Sequence, residues 1–474
     1  MSSSLALLLT LGFIAVLFGR DIRRRSVTGA LWIPFIWLFL TGSRHFSEWL
    51  AVFGFQMGGV NVEDGSPVDS AVYGLLILAG FCVLYQRRVS FSEVAQNNRW
   101  LIFYLAYCFL AILWSEYPLV SLKRWLKVIG HPVMVMVILT EPNPEEAIIQ
   151  LLKRCAYAWI PISILFIKYF PQFGRGFDSW TGMPSNTGIT TNKNMLGLDL
   201  FILCTFFFWY FLKVRGQEKS KERRDELILI GLFGCMIGWL FHMAHSATAI
   251  VGSTIASALI LIFSSARANP RYITGYLVGA AAFCVVGEGV FGLYTGFLGL
   301  LGRNPTLTDR TLVWHTLLQA KINPILGTGF ESFWLGEHIQ QSFWPGWAFV
   351  PNEAHNCYLE TYLNLGLIGL VLMVGWMITA YYRARRDVIA GLNWGRFRLG
   401  FIVAIIFYNW TEANFRGLDP LYFLFFLISM DFPRPELATA VKPAETEPGG
   451  AEMALAIAKA GNPVANNKTG VVMN

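Results

Sequence analysis

Long apolar stretches recur along the whole chain and leave little sequence for anything else. Thirteen of them are separated by short polar connections. They lie near residues 5–18, 29–41, 70–85, 99–114, 125–140, 155–170, 194–213, 226–243, 247–264, 272–295, 355–381, 397–411 and 418–430. Since a helix of about 20 apolar residues spans an ordinary bilayer, the pattern predicts an all-α polytopic membrane protein with about 12–13 transmembrane helices.

The positive charge is concentrated in a few connections such as "RDIRRR" and "KVRGQEKSKERR", although the net charge of the chain is +7. The positive-inside rule places such connections in the cytoplasm and accounts for them without nucleic acid, so we expect no nucleic-acid partner. Strict alternation then puts the polar connections on the outer face. These connections are residues 42–69, 171–193, 296–354 and 412–417.

The pattern also predicts how the chain is organised. Its parts are N-terminal helices with one outer loop (1–98), central helices with the outer loop 171–193 (99–295), a large outer loop (296–354), C-terminal helices (355–430) and a tail (431–474). The tail is rich in Pro, Ala, Glu and Gly without periodicity, which predicts a disordered cytoplasmic segment. A loop as long as 296–354 usually carries function or disorder.

The stretch "TLTDRTLVWHTLLQAKINP" in the large loop predicts a short helix. A threonine can cap its start, Pro324 lies just past its end, and Arg310 and Trp314 recur on one face. The Arg310 guanidinium has the geometry to grip phosphate or pyrophosphate oxygens through two hydrogen bonds. Alternatively, Arg310 pairs with Asp309 or reaches lipid headgroups.

The loop re-enters the membrane through "PNEAHNCYLETYLNLGLIGL", for which we predict a helix from residue 355 with Asn352 as a cap. In helical projection, Glu353 and Asn356 share a stripe that His355 does not join. A neutral imidazole at an exposed helix start can take a proton from an alcohol near neutral pH, which makes His355 a candidate general base. The alternative is a capping or interfacial histidine.

The outer loop 171–193 places Arg175, Lys193 and Asn194 next to the start of another helix. Backbone N–H groups and the helix dipole favour an anion at such a start. The competing interpretation is a plain turn capped by Thr191 or Asn192.

The last outer connection, "TEANFRGLDP", contains Glu412 and Arg416 at a helix end. Their opposite charges and short spacing predict that they pair with each other. Alternatively, both side chains face the space that the other outer loops enclose.

Five stretches occur in a characteristic order: "AILWSEYPLVSLKRWLKVIG", "TGITTNKNMLG", "HSATAIVGSTIA", "DRTLVWHTLLQAKINPILGTGFESFW" and "AHNCYLETYLNLGLIGL". Together they resemble the bacterial O-antigen ligase and polysaccharide polymerase superfamily, especially its exopolysaccharide-polymerase branch. The resemblance covers roughly residues 100–430. It implies a GT-C-like helical fold in the bacterial inner (cytoplasmic) membrane, with a large periplasmic loop containing short helices.

The resemblance also implies an activity in surface polysaccharide assembly. This is the inverting, metal-independent and cofactor-free transfer of a glycan from undecaprenyl pyrophosphate to a sugar hydroxyl of an acceptor glycan or glycolipid. The active site would face the periplasm, among membrane lipids. The residue pattern does not separate a polymerase from a ligase. A flippase or transporter for the lipid-linked glycan is the alternative, but the predicted spans carry few central charges.

Residue by residue, His355 matches the essential loop histidine of the family and Arg310 matches an arginine that grips pyrophosphate. Lys193 stands in the second basic position, and Arg175 is the alternative for that role. We also expect substrate contacts from nearby polar and aromatic side chains. These are Asn356, Glu353, Trp314, Asn194 and Glu412.

Overall fold

The computed structural model describes residues 2–24, 26–55, 65–178, 182–265, 268–291, 310–335 and 351–432. The helices, in chain order, are α1 Ser3–Arg24, α2 Trp32–Thr41, α3 Phe46–Val52, α4 Pro67–Gln86, α5 Phe91–Asn97, α6 Arg99–Leu110, α7 Pro118–Leu139, α8 Pro144–Tyr169, α9 Pro171–Gly174, α10 Lys193–Arg215, α11 Lys221–Ala244, α12 Ala247–Ser264, α13 Ile273–Phe291, α14 Arg310–Leu318, α15 Cys357–Ile389, α16 Asn393–Thr411 and α17 Pro420–Ser429. Short 3₁₀ turns occupy Gly29–Leu31, Ala111–Trp114 and Pro270–Tyr272. The described strands are β1 Arg175–Phe177 and β2 Pro184–Asn186, which pair antiparallel with Arg175 opposite Asn186.

Each of the thirteen apolar segments overlaps a described helix, which confirms the prediction of an all-α polytopic membrane protein. Among the described residues, seven helices are long and apolar enough to cross a membrane by length and composition. They are α1, α4, α8, α10, α11, α12 and α15. Shorter apolar helices lie at Gly29–Thr41, Arg99–Trp114 and Pro420–Ser429.

Helix starts follow local signals in the sequence. The side chains of Asn143, Asn192 and Ser220 each accept a hydrogen bond from a backbone N–H in the first turn of the helix that follows. Proline occupies the beginning of α8, where its missing N–H costs no intrahelical hydrogen bond. These caps satisfy donors that neither the helix nor a bilayer would satisfy.

The helix α8 lies near the centre of the bundle and is buried along most of its length, whereas α1, which packs against it, is largely exposed. Exposed leucines on α1 suit contact with lipid rather than water. The C-terminal helices form a second packed group, in which α16 lies against both α12 and α15. This group carries most of the polar residues described below.

Polar connections meet at one end of the bundle. The Arg44 guanidinium donates to the carbonyls of Phe173, Ile189 and Thr190, and thereby ties the connection after α2 to the loop 171–193. Near the opposite ends of α8 and α16, basic side chains form ion pairs with carboxylates of the protein. Lys153 Nζ lies 2.8 Å from Glu226 Oε2, and Arg398 Nη1 lies 2.6 Å from Asp387 Oδ2.

The long helix α15 is broken at Gly366, which has φ 63° and ψ −164°. This conformation suits glycine because it has no Cβ. The break frees backbone groups that a loop then satisfies: Leu367 N donates to Pro324 O at 2.9 Å, and Gly329 N donates to Asn364 O at 2.9 Å. The segment 323–335 is therefore fixed to the helix that follows the large loop.

Candidate functional site

Glycines allow the segment 323–335 to approach α15 closely. Gly327 and Gly329 have φ values of 71° and 106°. A Cβ at Gly327 would lie 2.5 Å from the backbone of Asn364, so a larger residue does not fit there. The motif "GTGFESFW" is thus a turn that docks against α15.

The predicted short helix in the large loop is present as α14, Arg310–Leu318. Val313 and Leu317 are buried and pack against Phe333, Ala354 and Leu363. This small core fixes α14 against both the docking turn and α15. The predicted capping threonines and Asp309 lie outside the described residues.

His355 lies before the helix, which corrects the prediction that the helix begins at residue 355. The helix α15 begins at Cys357, and its N-cap is Asn356, whose Oδ1 accepts from Leu359 N at 2.9 Å. Asn352 is not the cap. Because Glu353, His355 and Asn356 precede the first turn, the helical projection that separated them does not apply.

The backbone around His355 is held in place by side chains. His355 has φ 47°, a left-handed conformation that is costly for most residues. On its N-terminal side, Ala354 O accepts from Trp314 Nε1 at 2.8 Å, and Ala354 N donates to Glu360 Oε2 at 2.9 Å. Trp314 thus positions the histidine loop from α14.

Arg310 and His355 meet on opposite oxygens of one carboxylate. Arg310 Nη2 lies 2.8 Å from Glu412 Oε1, and His355 Nδ1 lies 3.5 Å from Glu412 Oε2. His355 Nδ1 also lies 3.0 Å from Glu353 Oε1. Arg310 Nη1 donates in addition to the carbonyl of Thr411 at the end of α16. These side chains are mostly buried but retain some exposure.

Arg416 does not pair with Glu412, which corrects the predicted pair. Arg416 Nη2 lies 2.7 Å from Glu353 Oε2, and its Nη1 donates to Asn352 O at 3.1 Å. The reason is that the guanidiniums of Arg310 and Arg416 come from different segments of the chain, and each forms an ion pair with a different carboxylate. The arrangement is Arg310 with Glu412 and Arg416 with Glu353, with the imidazole between them.

Electrostatics keep Glu412 and Arg416 charged. Burial would raise the pKa of Glu412, but the Arg310 guanidinium and His355 hold it below its ordinary value. Burial would likewise lower the pKa of Arg416, but the carboxylates of Glu353 and Glu360 raise it above its ordinary value. Glu412 is therefore an anion and Arg416 a cation at neutral pH.

The same three side chains have the spacing of a metal site. Ligand atoms of Glu353, His355 and Glu412 all lie within 4.8 Å of one another. Each carboxylate, however, already contacts a guanidinium, and both would have to exchange a partner for an ion. A metal-independent site stays a prediction for this chain.

The predicted cations of the outer loop 171–193, Lys193 and Arg175, have described contacts with residues outside the cluster around His355. Lys193 Nζ lies 2.6 Å from Asp178 Oδ2, and Arg175 Nε donates to Ile167 O at 3.0 Å. Asn192 caps the helix that contains Asn194, as the plain-turn interpretation proposed. The structure thus brings together Arg310, His355, Glu353, Asn356 and Glu412, without describing a contact from Lys193 or Arg175 to them.

Glu331 and His131, neither of which was predicted, hold the segment after Arg416 through contacts with Gly417. Gly417 N donates to Glu331 Oε1 at 2.6 Å, and Gly417 O lies 3.1 Å from His131 Nε2. Trp37 Nε1 donates to His131 Nδ1 at 3.2 Å, so the proton of the neutral ring is on Nε2, which donates to Gly417 O. His131 lies inside an apolar segment, and that unusual position was the available signal.

Aromatic rings adjoin Arg310. The indoles of Trp314 and Trp410 meet edge to face with centroids 6.2 Å apart, and Tyr358 lies 6.3 Å from Trp410. Trp410 is exposed. Such rings can pack against a sugar face or a polyprenyl chain beside the cationic site.

The comparisons with known proteins point to one family. Residues 231–374 match the O-antigen ligase family model. The matched segment contains both Arg310 and His355. The chain is also 24% identical over 302 residues to the exopolysaccharide production protein ExoQ of Rhizobium meliloti (strain 1021), covering 60% of this chain and 64% of that protein. The chain thus spans less than two thirds of this relative. Both findings confirm the resemblance to the O-antigen ligase and polymerase family.

Proposed function

We propose that this chain is an inverting glycosyltransferase of surface polysaccharide assembly. It transfers a glycan from a polyprenyl pyrophosphate, such as undecaprenyl pyrophosphate, to a sugar hydroxyl of an acceptor glycan or glycolipid. The reaction takes place on the periplasmic side of the bacterial inner membrane. The observation that carries the proposal is the shared carboxylate of Glu412, which joins the candidate base His355 to the cation Arg310.

The imidazole has a defined role in this arrangement. Carboxylates of Glu353 and Glu412 both lie on the Nδ1 side of His355 and favour the tautomer that carries its proton there. Nε2 is then the basic nitrogen. As the acceptor oxygen bonds to the anomeric carbon, the hydroxyl proton passes to Nε2, and the adjacent carboxylates stabilise the imidazolium that forms.

The leaving group requires a cation. The bond between the anomeric carbon and the pyrophosphate oxygen breaks as the new bond forms, and its electron pair stays on the pyrophosphate. The Arg310 guanidinium is planar and mostly buried, which suits it to bind two phosphate oxygens and stabilise that charge. Lys193 and Arg175 are proposed to supply further charge from the loop 171–193.

A direct test uses the full chain in lipid nanodiscs, supplied with a polyprenyl-pyrophosphate glycan and an acceptor glycan. We expect a new glycosidic bond, release of polyprenyl pyrophosphate, and inversion at the anomeric carbon. Retention of configuration would contradict the mechanism. In sealed vesicles, movement of the lipid-linked glycan without bond formation would favour the transporter instead.

A further inference from the structure

A cationic face lies at the site end of α7, on elements that the proposed reaction does not use. Lys123, Arg124 and Lys127 occupy two successive turns of this helix. The charges of Lys123 and Arg124 both act on Lys127. Alternation of the predicted segments also places the connection between 114 and 125, which contains Lys123 and Arg124, on the outer face, and Lys127 lies at the start of the segment that follows. The positive-inside rule does not account for three cations at this end of a helix. We call these three residues the α7 basic face.

Two nearby carboxylates, Asp69 and Glu331, are held by hydrogen bonds from other groups. Asp69 and Glu331 act on Lys127 electrostatically, but Asp69 accepts from Ser47 N and Oγ at 2.8 and 2.6 Å, and Glu331 Oε1 accepts from Gly417 N. Within the described parts of the chain, neither Arg124 nor Lys127 has a carboxylate at ion-pair distance. Lys127 is nevertheless half-buried. An anion bound beside Arg124 and Lys127 would be attracted by both charges.

The α7 basic face is connected to the candidate base by a short series of contacts. Arg124 Nη1 donates to Glu331 O at 2.6 Å, and Glu331 Oε1 accepts from Gly417 N. The next residue back, Arg416, pairs with Glu353, which lies against His355. Glu331 has φ 47°, so this contact is held in a strained conformation. The face therefore has a fixed position relative to His355, on segments different from those that carry Arg310.

We propose that the α7 basic face is a second phosphate subsite, which binds the pyrophosphate of a lipid-linked acceptor while Arg310 binds that of the donor. This inference rests on the proposed function and makes the chain a polymerase. A polymerase must hold two lipid pyrophosphates at once, one on each side of the base. Two separated sets of cations suit that requirement, because bringing both pyrophosphates to Arg310 would place like charges together.

The test compares two acceptors that carry the same glycan. One is attached to polyprenyl pyrophosphate, and the other to an uncharged alkyl chain of similar length. In nanodiscs with saturating donor, Lys127→Gln should raise KM for the pyrophosphate-linked acceptor by about tenfold, the effect of losing one charged contact. The KM for the alkyl-linked acceptor and both kcat values should stay unchanged.

Three further variants sharpen this test. Arg124→Lys keeps the charge and should have a smaller effect than Arg124→Gln, whereas the exposed Lys321→Gln should have none. Equal losses with both acceptors, or no loss with either, would overturn the inference. So would a Lys127→Gln effect that appears only in nanodiscs with anionic lipids, because the ligand would then be a headgroup phosphate.

The outcomes also separate this inference from the proposed function. If wild-type protein extends neither acceptor, the glycosyltransferase proposal fails and the second subsite fails with it. If wild-type protein extends both acceptors with the same KM, the transferase stands and the second subsite alone is rejected.

Discussion

Arg310 Nη2 lies 2.8 Å from Glu412 Oε1, so the guanidinium proposed to bind pyrophosphate already holds a carboxylate. Substrate binding at this position is therefore an exchange of anions. A pyrophosphate carries more charge than a carboxylate and can accept two parallel hydrogen bonds from the same guanidinium. Glu412 would then be released toward His355, whose Nδ1 is 3.5 Å from its other oxygen.

Replacing His355 tests the base. We expect His355→Asn to reduce kcat by about 10²–10⁴-fold, the usual contribution of a positioned general base. Asparagine tolerates the left-handed backbone better than most residues, so the fold should be kept. The assay is glycosidic bond formation in nanodiscs. His315→Asn, at an exposed position on α14, serves as the control and should be fully active. Full activity of His355→Asn would remove the base assignment.

Replacing Arg310 tests the leaving-group cation. Arg310→Ala should reduce turnover by about a hundredfold or more, as for the loss of a preorganised donor. Arg310→Lys should fall between that variant and wild type, because lysine keeps the charge without the planar fork. Single-turnover rates at saturating donor measure the effect. A change confined to KM would show instead that Arg310 binds substrate and transition state equally.

Glu412 predicts a pH dependence of stability. The pKa of Glu412 in the folded protein is below the ordinary carboxyl value. The ion pair with Arg310 therefore stabilises the protein fully when the pH is above that ordinary value. This stabilisation is lost as the pH falls through the folded pKa. The thermal midpoint of wild type should exceed that of Glu412→Gln at neutral pH. The difference should shrink in acid below the ordinary carboxyl pKa. A difference that grows with acidification would contradict the ion pair.

Gly366 predicts a large effect on stability. A Cβ at this position would lie 2.2 Å from Ile325 O, and φ is 63°. We expect Gly366→Ala to destabilise the protein by about 2–5 kcal/mol, from the left-handed backbone and the overpacking together. Unfolding followed by tryptophan fluorescence in detergent would measure it. Gly238→Ala is the control, because open space surrounds that glycine in a regular helix.

Chelation tests the cluster of Glu353, His355 and Glu412 as a metal site. Because Arg310 and Arg416 each hold one of the carboxylates, we expect EDTA to leave activity unchanged. Activity is measured before and after chelation and after return of Mg²⁺ or Mn²⁺. A loss that the ion restores would assign a metal to these residues.

The fold and part of the site could be predicted from the sequence. Apolar length predicted the helices because a bilayer imposes it, and composition singled out Arg310 and His355 among apolar surroundings. Partner choice was not predictable. Glu412 and Arg416 are close in sequence, yet Arg310 and Glu353 reach them from distant segments. The start of α15 was misplaced because Asn352 and Asn356 are equally good caps locally, and tertiary contacts of Ala354 decide between them.

At the break at Gly366, backbone groups of α15 form hydrogen bonds with the segment 323–335 instead of within the helix. This segment and α15 are therefore expected to move together. The proposed base, His355, is separated from the same helix by a single residue, the cap Asn356. Any tilt that α15 adopts to match the hydrocarbon thickness is therefore transmitted to the imidazole. The rate of the proposed glycosyl transfer should therefore vary with the acyl-chain length of the surrounding lipid.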